Sequence, residues 1–382
     1  MQQKKKLRLG VTGLGQRTRL FGKTTDYLLI IIPVILSSIG IAVIAAATGG
    51  ISNDYVTKQL FALFLGVTSA LVLSFVNYEY MFDVRVCVAL GTISVGLLAL
   101  TLFIGKGRGN VSWIELNALY MQPSEFVKVF FIITYSKHLD SVKDRINSPP
   151  VAALLLLHAA IPTGLIVLQG DLGSALVYLT VMLAMNFAAG MSLLYLLGAV
   201  AVAVPLTPTL WSMLKPYQQR RILVGFDPES DPMGYGYQQI LSKRAIASGG
   251  FFGKGLSNTP VSDTIPYNHT DMIYAVITET LGLFGAIIVI VLLVFLCVRV
   301  VMTAMRARKD VAGFACVGVC AVLIAQTVEN IGMCLGVLPV IGITLPFLSY
   351  GGSSLLSLFL ALGVVMSVSR YRTKYFFERE NS

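Results

Sequence analysis

The sequence predicts an all-α, polytopic membrane protein with ten transmembrane helices and one large extracytoplasmic loop between helices 7 and 8. Hydrophobic residues make up 55% of the 382 residues, and charged residues only 13%. A soluble protein carries about 25% charged residues, so the composition excludes an ordinary soluble enzyme. The apolar residues fall in ten segments, and a polar stretch at 212–270 separates the seventh segment from the eighth.

Each of the ten segments approaches the length of about 20 apolar residues that a helix needs to cross a bilayer. The fourth is the weakest, because it contains Lys128 and ends in polar residues. The first has no small-residue cleavage site, so we expect an anchor and not a removed signal peptide. In order, the segments are 27–48, 59–77, 86–104, 124–140, 151–169, 172–190, 192–211, 272–298, 311–336 and 345–368.

The chain is therefore expected to divide into five parts. They are a basic tail at 1–26, helices 1–7 at 27–211, the loop at 212–270, helices 8–10 at 271–368 and a second tail at 369–382. With the N-terminus inside, inner segments hold most of the 29 Lys and Arg residues, which predicts cytoplasmic termini and an outer loop. The net charge of +10 is explained by contact with anionic membrane lipid. No basic soluble face supports nucleic-acid binding.

Six charged residues share the outer half of the predicted bundle: Glu125, Lys128, Asp171, Asp271, Glu279 and Glu329. Charged groups within a membrane are costly and usually functional. A carrier needs polar groups along a route to both faces, whereas this arrangement predicts a pocket that opens only to the outside. Residues 237–247 of the loop predict a short amphipathic helix on the bilayer surface.

Several of these features also have purely structural interpretations. Asp271 could simply complement the positive end of a helix dipole. Glu125 and Lys128, at positions i and i+3, could neutralise each other. His269 is a candidate because it stands beside Asp271, unless its side chain points away. Residues 349–354, Ser-Tyr-Gly-Gly-Ser-Ser, resemble a phosphate-binding turn, although paired glycines in a membrane helix also permit close packing.

These motifs occur together in one family. The chain resembles the shape, elongation, division and sporulation (SEDS) glycosyltransferases of bacteria, the RodA and FtsW proteins, from about the first span to residue 372. Asp227-Pro228 and residues 339–342 look more like RodA than FtsW. Departures from the family pattern are Gly170 for Pro, Met272 for Phe, Thr280 for Glu and Ser112 for Arg. The matching motifs are Trp113-Ile114, QPSEFVK at 122–128, QGDLG at 169–173, the glycines of 249–255, His-Thr-Asp at 269–271 with Glu279, and residues 338–354.

The resemblance implies ten spans with both ends in the cytoplasm of a bacterial cell. It implies an enzyme that polymerises lipid II, a disaccharide-peptide on undecaprenyl pyrophosphate, into glycan strands. It also implies a partner, a class B penicillin-binding protein that crosslinks the strands, on spans 8 and 9. The family is linked to divalent cations, Mg²⁺ or Mn²⁺, but the sequence shows no ligand set for either ion.

The expected chemistry needs one base, because pyrophosphate is already a good leaving group, whereas glycoside hydrolysis uses two carboxylates. We predict Asp271 as the general base and Lys128 as a cation that neutralises pyrophosphate or fixes Glu125. Any basic residue of the loop could equally be a solvated surface charge. The predicted substrate-binding residues are Glu125, Lys128, Asp171, His269, Arg220, Arg221, Lys243, Arg244, Glu279, Ser349 and Ser353.

Three other functions compete with this interpretation. A lipid II flippase would share the substrate and the membrane, but the one-sided charges and the absence of an internal sequence repeat count against a transporter. A scaffold that only recruits the crosslinking enzyme would explain the spans but not Asp271. A division- or sporulation-type relative of the FtsW kind would have the same chemistry in another cellular process.

Overall fold

The computed structural model of the protein is almost entirely helical. It describes residues 26–48, 54–107, 110–116, 119–256 and 261–371. One small hairpin, β1 (Ile114–Leu116) with β2 (Leu119–Met121), precedes the fifth helix, and short 3-10 turns lie at Lys143–Arg145, Pro228–Ser230 and Ser262–Thr264. The helices are α1 (Leu28–Ala47), α2 (Asp54–Phe75), α3 (Tyr78–Met81), α4 (Val84–Ile104), α5 (Pro123–Val142), α6 (Pro149–Leu168), α7 (Leu172–Ala188), α8 (Leu193–Met213), α9 (Pro216–Phe226), α10 (Tyr237–Ser248), α11 (Ile273–Met305), α12 (Asp310–Cys334) and α13 (Gly352–Arg370).

The helices agree with the predicted class, an all-α polytopic membrane protein. Among the described residues, seven helices are long and apolar enough to cross a membrane, namely α1, α2, α4, α6, α11, α12 and α13, and α7 is a shorter apolar helix. Each of the ten apolar segments overlaps a helix. Local signals explain several helix starts: Pro123 and Pro149 occupy first positions, where proline suits a helix, and Asp171 caps α7.

The last apolar segment is an exception to the sequence prediction, which began a helix at residue 345. The structure begins α13 at Gly352, and residues 345–351 are irregular. Pro346 lacks a backbone N–H donor, and Phe347 has a positive φ of 66°. The apolar character of the segment reflects burial in the protein and not a continuation of the helix.

The centre of the bundle consists of α12 and α13, whose apolar stretches are mostly buried, while α2, α4 and α6 expose most of theirs. Small residues bring helices close together, as is usual in membrane proteins. On α2, Gly66 lies under the ring of Phe359 of α13, and Gly363 of α13 faces Ala70 and Leu73 of α2. The residues discussed below lie around this centre.

The polar loop folds back onto the end of the bundle. Its helix α10 covers the predicted range almost residue for residue, but the buried face of α10 packs on protein. Ser242 Oγ donates to the Cys334 carbonyl at 2.8 Å, and Gln239 Nε2 donates to the Leu338 carbonyl at 2.6 Å. The prediction of a helix is thus confirmed, while its polar contacts are with α12 and the segment that follows it.

Helix α11 is interrupted at Gly282, whose φ of 69° and ψ of −175° are not helical. The loop at 250–255 supplies the backbone partners that the interruption removes. Lys254 N–H donates to the Glu279 carbonyl at 2.9 Å, and Leu283 N–H donates to the Gly250 carbonyl at 2.9 Å. A Cβ at Gly282 would lie 2.3 Å from Gly253 N, so glycine is required here. Loop and helix therefore form one hydrogen-bonded unit.

Candidate active site

Asp271 lies at the end of the polar loop, two residues before α11 begins. Its carboxylate faces Gly342, where a Cβ would lie 3.4 Å from Asp271 Oδ2. Among the described residues no hydrogen-bond donor reaches this carboxylate. Burial raises the pKa of Asp271 to about 6, the cation of Arg221 opposes the rise, and the charge of Asp171 adds to it. A carboxyl group with this pKa is mostly ionised at neutral pH.

The backbone around Asp271 is held at three successive carbonyl groups. Tyr350 N–H donates to the His269 carbonyl at 2.9 Å, and Ser349 Oγ donates to the Thr270 carbonyl at 2.7 Å. Asn330 Nδ2 donates to the Asp271 carbonyl at 2.8 Å. Residues of α12 and of the irregular segment before α13 therefore fix the position of the carboxylate.

Asn330 is a residue that the sequence prediction missed. Its Nδ2 also donates to the Ile343 carbonyl at 2.7 Å, so one amide joins the start of α11 to the segment beside Gly342. The only available signal was a polar residue near the outer end of an apolar segment, and that signal does not indicate what the side chain contacts.

His269 is next to Asp271 in sequence, but its ring points elsewhere. His269 Nδ1 lies 3.1 Å from Asn268 Oδ1, and the ring packs 4.7 Å from Tyr55 and 5.7 Å from Tyr350, measured between centroids. Burial lowers the pKa of His269. These contacts place the imidazole in an aromatic cluster at the outer end of α2.

Glu125 and Lys128 form a buried ion pair near the start of α5. Lys128 Nζ lies 2.9 Å from Glu125 Oε1. The side chain of Lys128 is 4% exposed and that of Glu125 is 6% exposed. Glu125 Oε2 accepts a hydrogen bond from Ser357 Oγ at 3.0 Å. The pair is thus built into the contact between α5 and α13, and both carboxylate oxygens of Glu125 have donors.

Asp171 is also supplied with donors from the protein. It accepts from Ser174 N–H at 3.0 Å, Ser174 Oγ at 2.8 Å and Gln122 Nε2 at 2.9 Å. The preceding residue, Gly170, has a φ of 86°, which proline cannot adopt. Gly170, named above as a departure from the family pattern, therefore has a backbone conformation in which proline could not replace it.

Glu279 is fully buried and holds the outer loop. It accepts from Lys254 Nζ at 2.9 Å, Ser248 Oγ at 3.0 Å and Ser262 N–H at 2.7 Å. Its oxygens are occupied, so the structure favours a role for Glu279 in fixing the loop over a direct contact with substrate.

The four basic candidates of the loop have different surroundings. Arg220 pairs with Asp231 at 3.4 Å on the surface. The end of the Lys243 side chain packs against Gly336, just beyond α12, and Arg244 is exposed. Arg221 is the one of the four whose charge acts on Asp271, which makes it the best placed for an anion bound beside that carboxylate.

The predicted phosphate-binding turn has its hydroxyl groups engaged within the protein. Ser349 Oγ accepts from Leu345 N–H at 2.8 Å in addition to its bond to Thr270, and Ser353 Oγ accepts from Gln122 N–H at 3.2 Å. The turn thus connects α5, α13 and the segment that carries Asp271.

Within the residues that the structure describes, no group of three or more His, Cys, Asp or Glu side chains is arranged to hold a metal ion. The Mg²⁺ or Mn²⁺ that the resemblance implies finds no preformed set of such ligands in this part of the chain.

Comparison with known proteins identifies the family. Residues 21–374 match the FtsW/RodA/SpoVE family model, whose description is "Cell cycle protein". The chain belongs to the FtsW/RodA/SpoVE family. It is 34% identical over 361 residues to the probable peptidoglycan glycosyltransferase FtsW of Trichlorobacter lovleyi, covering 90% of this chain and 93% of that protein. It is 35% identical over 281 residues to the peptidoglycan glycosyltransferase MrdB of Escherichia coli K12, covering 72% and 75%.

Solved structures of this FtsW/RodA/SpoVE family share the fold. A chain from a peptidoglycan synthase complex, described for the coordination of polymerization and crosslinking, superimposes with a TM-score of 0.79 at 31% identity, covering 91% of this chain and 98% of that one. The rod shape determining protein RodA of Thermus thermophilus gives a TM-score of 0.69 at 27% identity, covering 92% and 98%.

The Glu125–Lys128 pair gives a test of stability. Lys128→Met alone leaves a buried, uncompensated carboxylate, which we expect to reduce the free energy of unfolding by about 3–5 kcal/mol. Adding Glu125→Gln should restore most of it, because no charge is then left unpaired. Melting temperatures in detergent measure both effects, and an unchanged melting temperature for Lys128→Met would contradict the burial of the pair.

Proposed function

We propose that this protein polymerises lipid II into glycan strands at the outer face of the bacterial cell membrane, with Asp271 as the general base. The observation that carries the proposal is the Asp271 carboxylate, which is fixed through its backbone yet accepts no hydrogen bond from the described residues. With a pKa of about 6, it is ionised at neutral pH and still basic enough to take a proton. Membership of the family supports the same activity.

The reaction is a displacement at the anomeric carbon of the donor. The acceptor hydroxyl forms the new C–O bond, Asp271 takes its proton, and the C–O bond to pyrophosphate breaks with its electron pair on the leaving group. We propose Arg221, whose charge acts on Asp271, as the loop cation that neutralises this leaving group, and the buried Lys128 as a second candidate. If Lys128 contacts pyrophosphate, Lys128→Met with Glu125→Gln folds but is inactive. Full activity of this double variant would leave Arg221 as the candidate that neutralises pyrophosphate.

The proposed partner is a class B penicillin-binding protein that crosslinks the new strands. In support, the solved chain from a peptidoglycan synthase complex is similar to this one over most of its length. The proposed contact is on spans 8 and 9, that is α11 and α12. The exposed apolar side chains of α11 are Leu283, Phe284, Ile287, Val291, Val294 and Phe295. The Asp227-Pro228 and 339–342 motifs favour a role in cell elongation and shape over one in division.

For topology, we propose ten spans, cytoplasmic termini and an external loop at 212–270. A phosphatase fused after Gly255 should be active outside the cell, and fusions after Lys309 or Lys374 should be inactive. The excess of Lys and Arg in the inner segments is the physical reason. Activity of the Lys309 fusion would contradict the ten-span arrangement.

Removing the base tests the mechanism directly. Asp271→Asn keeps the shape of the side chain but cannot accept the proton, so polymerisation of purified lipid II should fall at least about a hundredfold. The amount of protein in the membrane and its melting temperature should stay near those of the wild type. Substantial glycan synthesis by this variant would refute the role of Asp271. His269→Ala should have a smaller effect, because its ring contacts aromatic side chains.

The electrostatic environment of Asp271 predicts the pH dependence. A base with a pKa of about 6 loses its activity as the pH falls below that value. Arg221 holds this pKa down, so Arg221→Gln should move the acidic limb of kcat/KM to higher pH, by about one pH unit at most. Arg220→Gln is the matched control, since Arg220 pairs with Asp231. Equal movement of the limb in both variants would show a general charge effect and not a specific one.

A further inference from the structure

Carboxyl groups in the predicted outer half of this bundle fall into two kinds. Glu125, Asp171 and Glu279 each accept from at least two protein donors. Asp271 accepts from none of the described residues, and Glu329 Oε2 is buried without a partner. A buried polar atom without a hydrogen bond costs several kcal/mol in an apolar environment. Asp271 is explained by its role as base, which leaves Glu329 unexplained.

Glu329 is placed beside the residues already described. It lies near the outer end of α12 and is 5% exposed. Gly318, about three turns earlier on the same face of the helix, packs on side chains of α5 and α7. The Glu329 carboxyl is close enough to Lys128 and Asp171 to interact with both charges. It therefore faces the same interior as the Glu125–Lys128 pair.

Gln326 adds an independent observation one turn further inward. It is fully buried, and neither its Nε2 nor its Oε1 has a hydrogen-bond partner. Residues at i and i+3 on a helix are neighbours, yet Gln326 and Glu329 do not bond to each other. Two side chains on neighbouring turns of α12 thus have buried polar atoms without partners, and a further polar group is needed to satisfy them.

The chemistry of these atoms defines the group that fits. A carboxylate only accepts hydrogen bonds, and an amide both donates and accepts. The ligand must therefore carry an O–H or N–H for Glu329 beside an oxygen for Gln326 Nε2. Sugar hydroxyl groups and the acetamido group of an amino sugar provide this combination. A metal ion is a poorer fit, because within the described ranges no three acidic, His or Cys side chains converge.

We propose that Glu329 binds the sugar portion of the lipid-linked substrate, accepting a hydrogen bond from a hydroxyl or acetamido N–H while the Gln326 amide contacts a neighbouring oxygen. This inference rests on the proposed function and adds a substrate-binding site to it. Asp271 removes the proton, and Glu329 with Gln326 positions the ring from α12. The unpaired carboxyl is then a preformed acceptor that becomes satisfied only when substrate is bound.

The test uses the full-length protein in detergent with purified lipid II. Glu329→Leu should leave the melting temperature without substrate unchanged or higher, because it removes an unpaired buried carboxyl. It should raise KM by about ten- to hundredfold with a much smaller change in kcat. Glu329→Gln should recover part of the loss, since its amide oxygen still accepts. Val328→Ala, at an exposed position of the same turn, is the control and should leave KM unchanged.

A binding measurement separates this inference from the proposed function. In the Asp271→Asn background, lipid II should raise the melting temperature, and adding Glu329→Leu should abolish most of that rise. If the wild-type protein makes no glycan, the proposed function fails, while this thermal shift still tests Glu329. A lower melting temperature with unchanged KM would make Glu329 a structural partner of Lys128. Rescue of the KM defect by added Mg²⁺ would make it a cation ligand. Either result overturns the proposal.

Discussion

Lipid supplies no hydrogen-bond donors, so every charged group inside this bundle depends on a partner from the protein. That constraint explains most of the polar architecture. Glu125 pairs with Lys128 and accepts a hydrogen bond from Ser357. Glu279 pairs with Lys254 and accepts hydrogen bonds from backbone N–H groups of the loop. Once these structural acids are accounted for, Asp271 and Glu329 keep carboxyl oxygens without a donor among the described residues, and these two groups are the ones proposed above as the base and as a substrate-binding residue.

The position of Asp271, the proposed base, follows from the same need to satisfy polar groups. The carbonyls of residues 269–271 end the loop and would otherwise be left without partners at the entrance of α11. Asn330, Ser349 and Tyr350 bind them. Because these donors come from α12 and the segment before α13, the Asp271 carboxylate is held in place without a hydrogen bond of its own. The backbone of Asp271 is thus fixed, while its carboxylate oxygens accept no hydrogen bond from the described residues.

The sequence was sufficient for features that depend on local pattern. Apolar segments located the helices, and the polar stretch predicted at 212–270 ends just before α11 begins at Ile273. Contacts between segments that are distant in the chain could not be predicted from the sequence. The sequence predicts a helix over residues 345–351, but in the structure the Tyr350 N–H donates to the His269 carbonyl and the Ser349 hydroxyl donates to the Thr270 carbonyl. Likewise, the neighbours of Glu279 and Lys243 lie in parts of the chain that no periodicity connects.

The interruption of α11 at Gly282 divides the helix into two parts with different surroundings. Its outer part, with Glu279, is bonded to the loop at 250–255 and to Ser262, while its longer inner part presents an apolar surface. Bending at Gly282 would break the hydrogen bonds that join Leu283 and Phe284 to the loop, and lipid offers no replacement. The part of α11 before Gly282 is therefore hydrogen-bonded to the loop, and the residue that precedes it by two positions, Asp271, is bonded to Asn330 of α12. The proposed base is held by contacts from α12 and from the segment before α13, and none of these contacts comes from the part of α11 beyond Gly282.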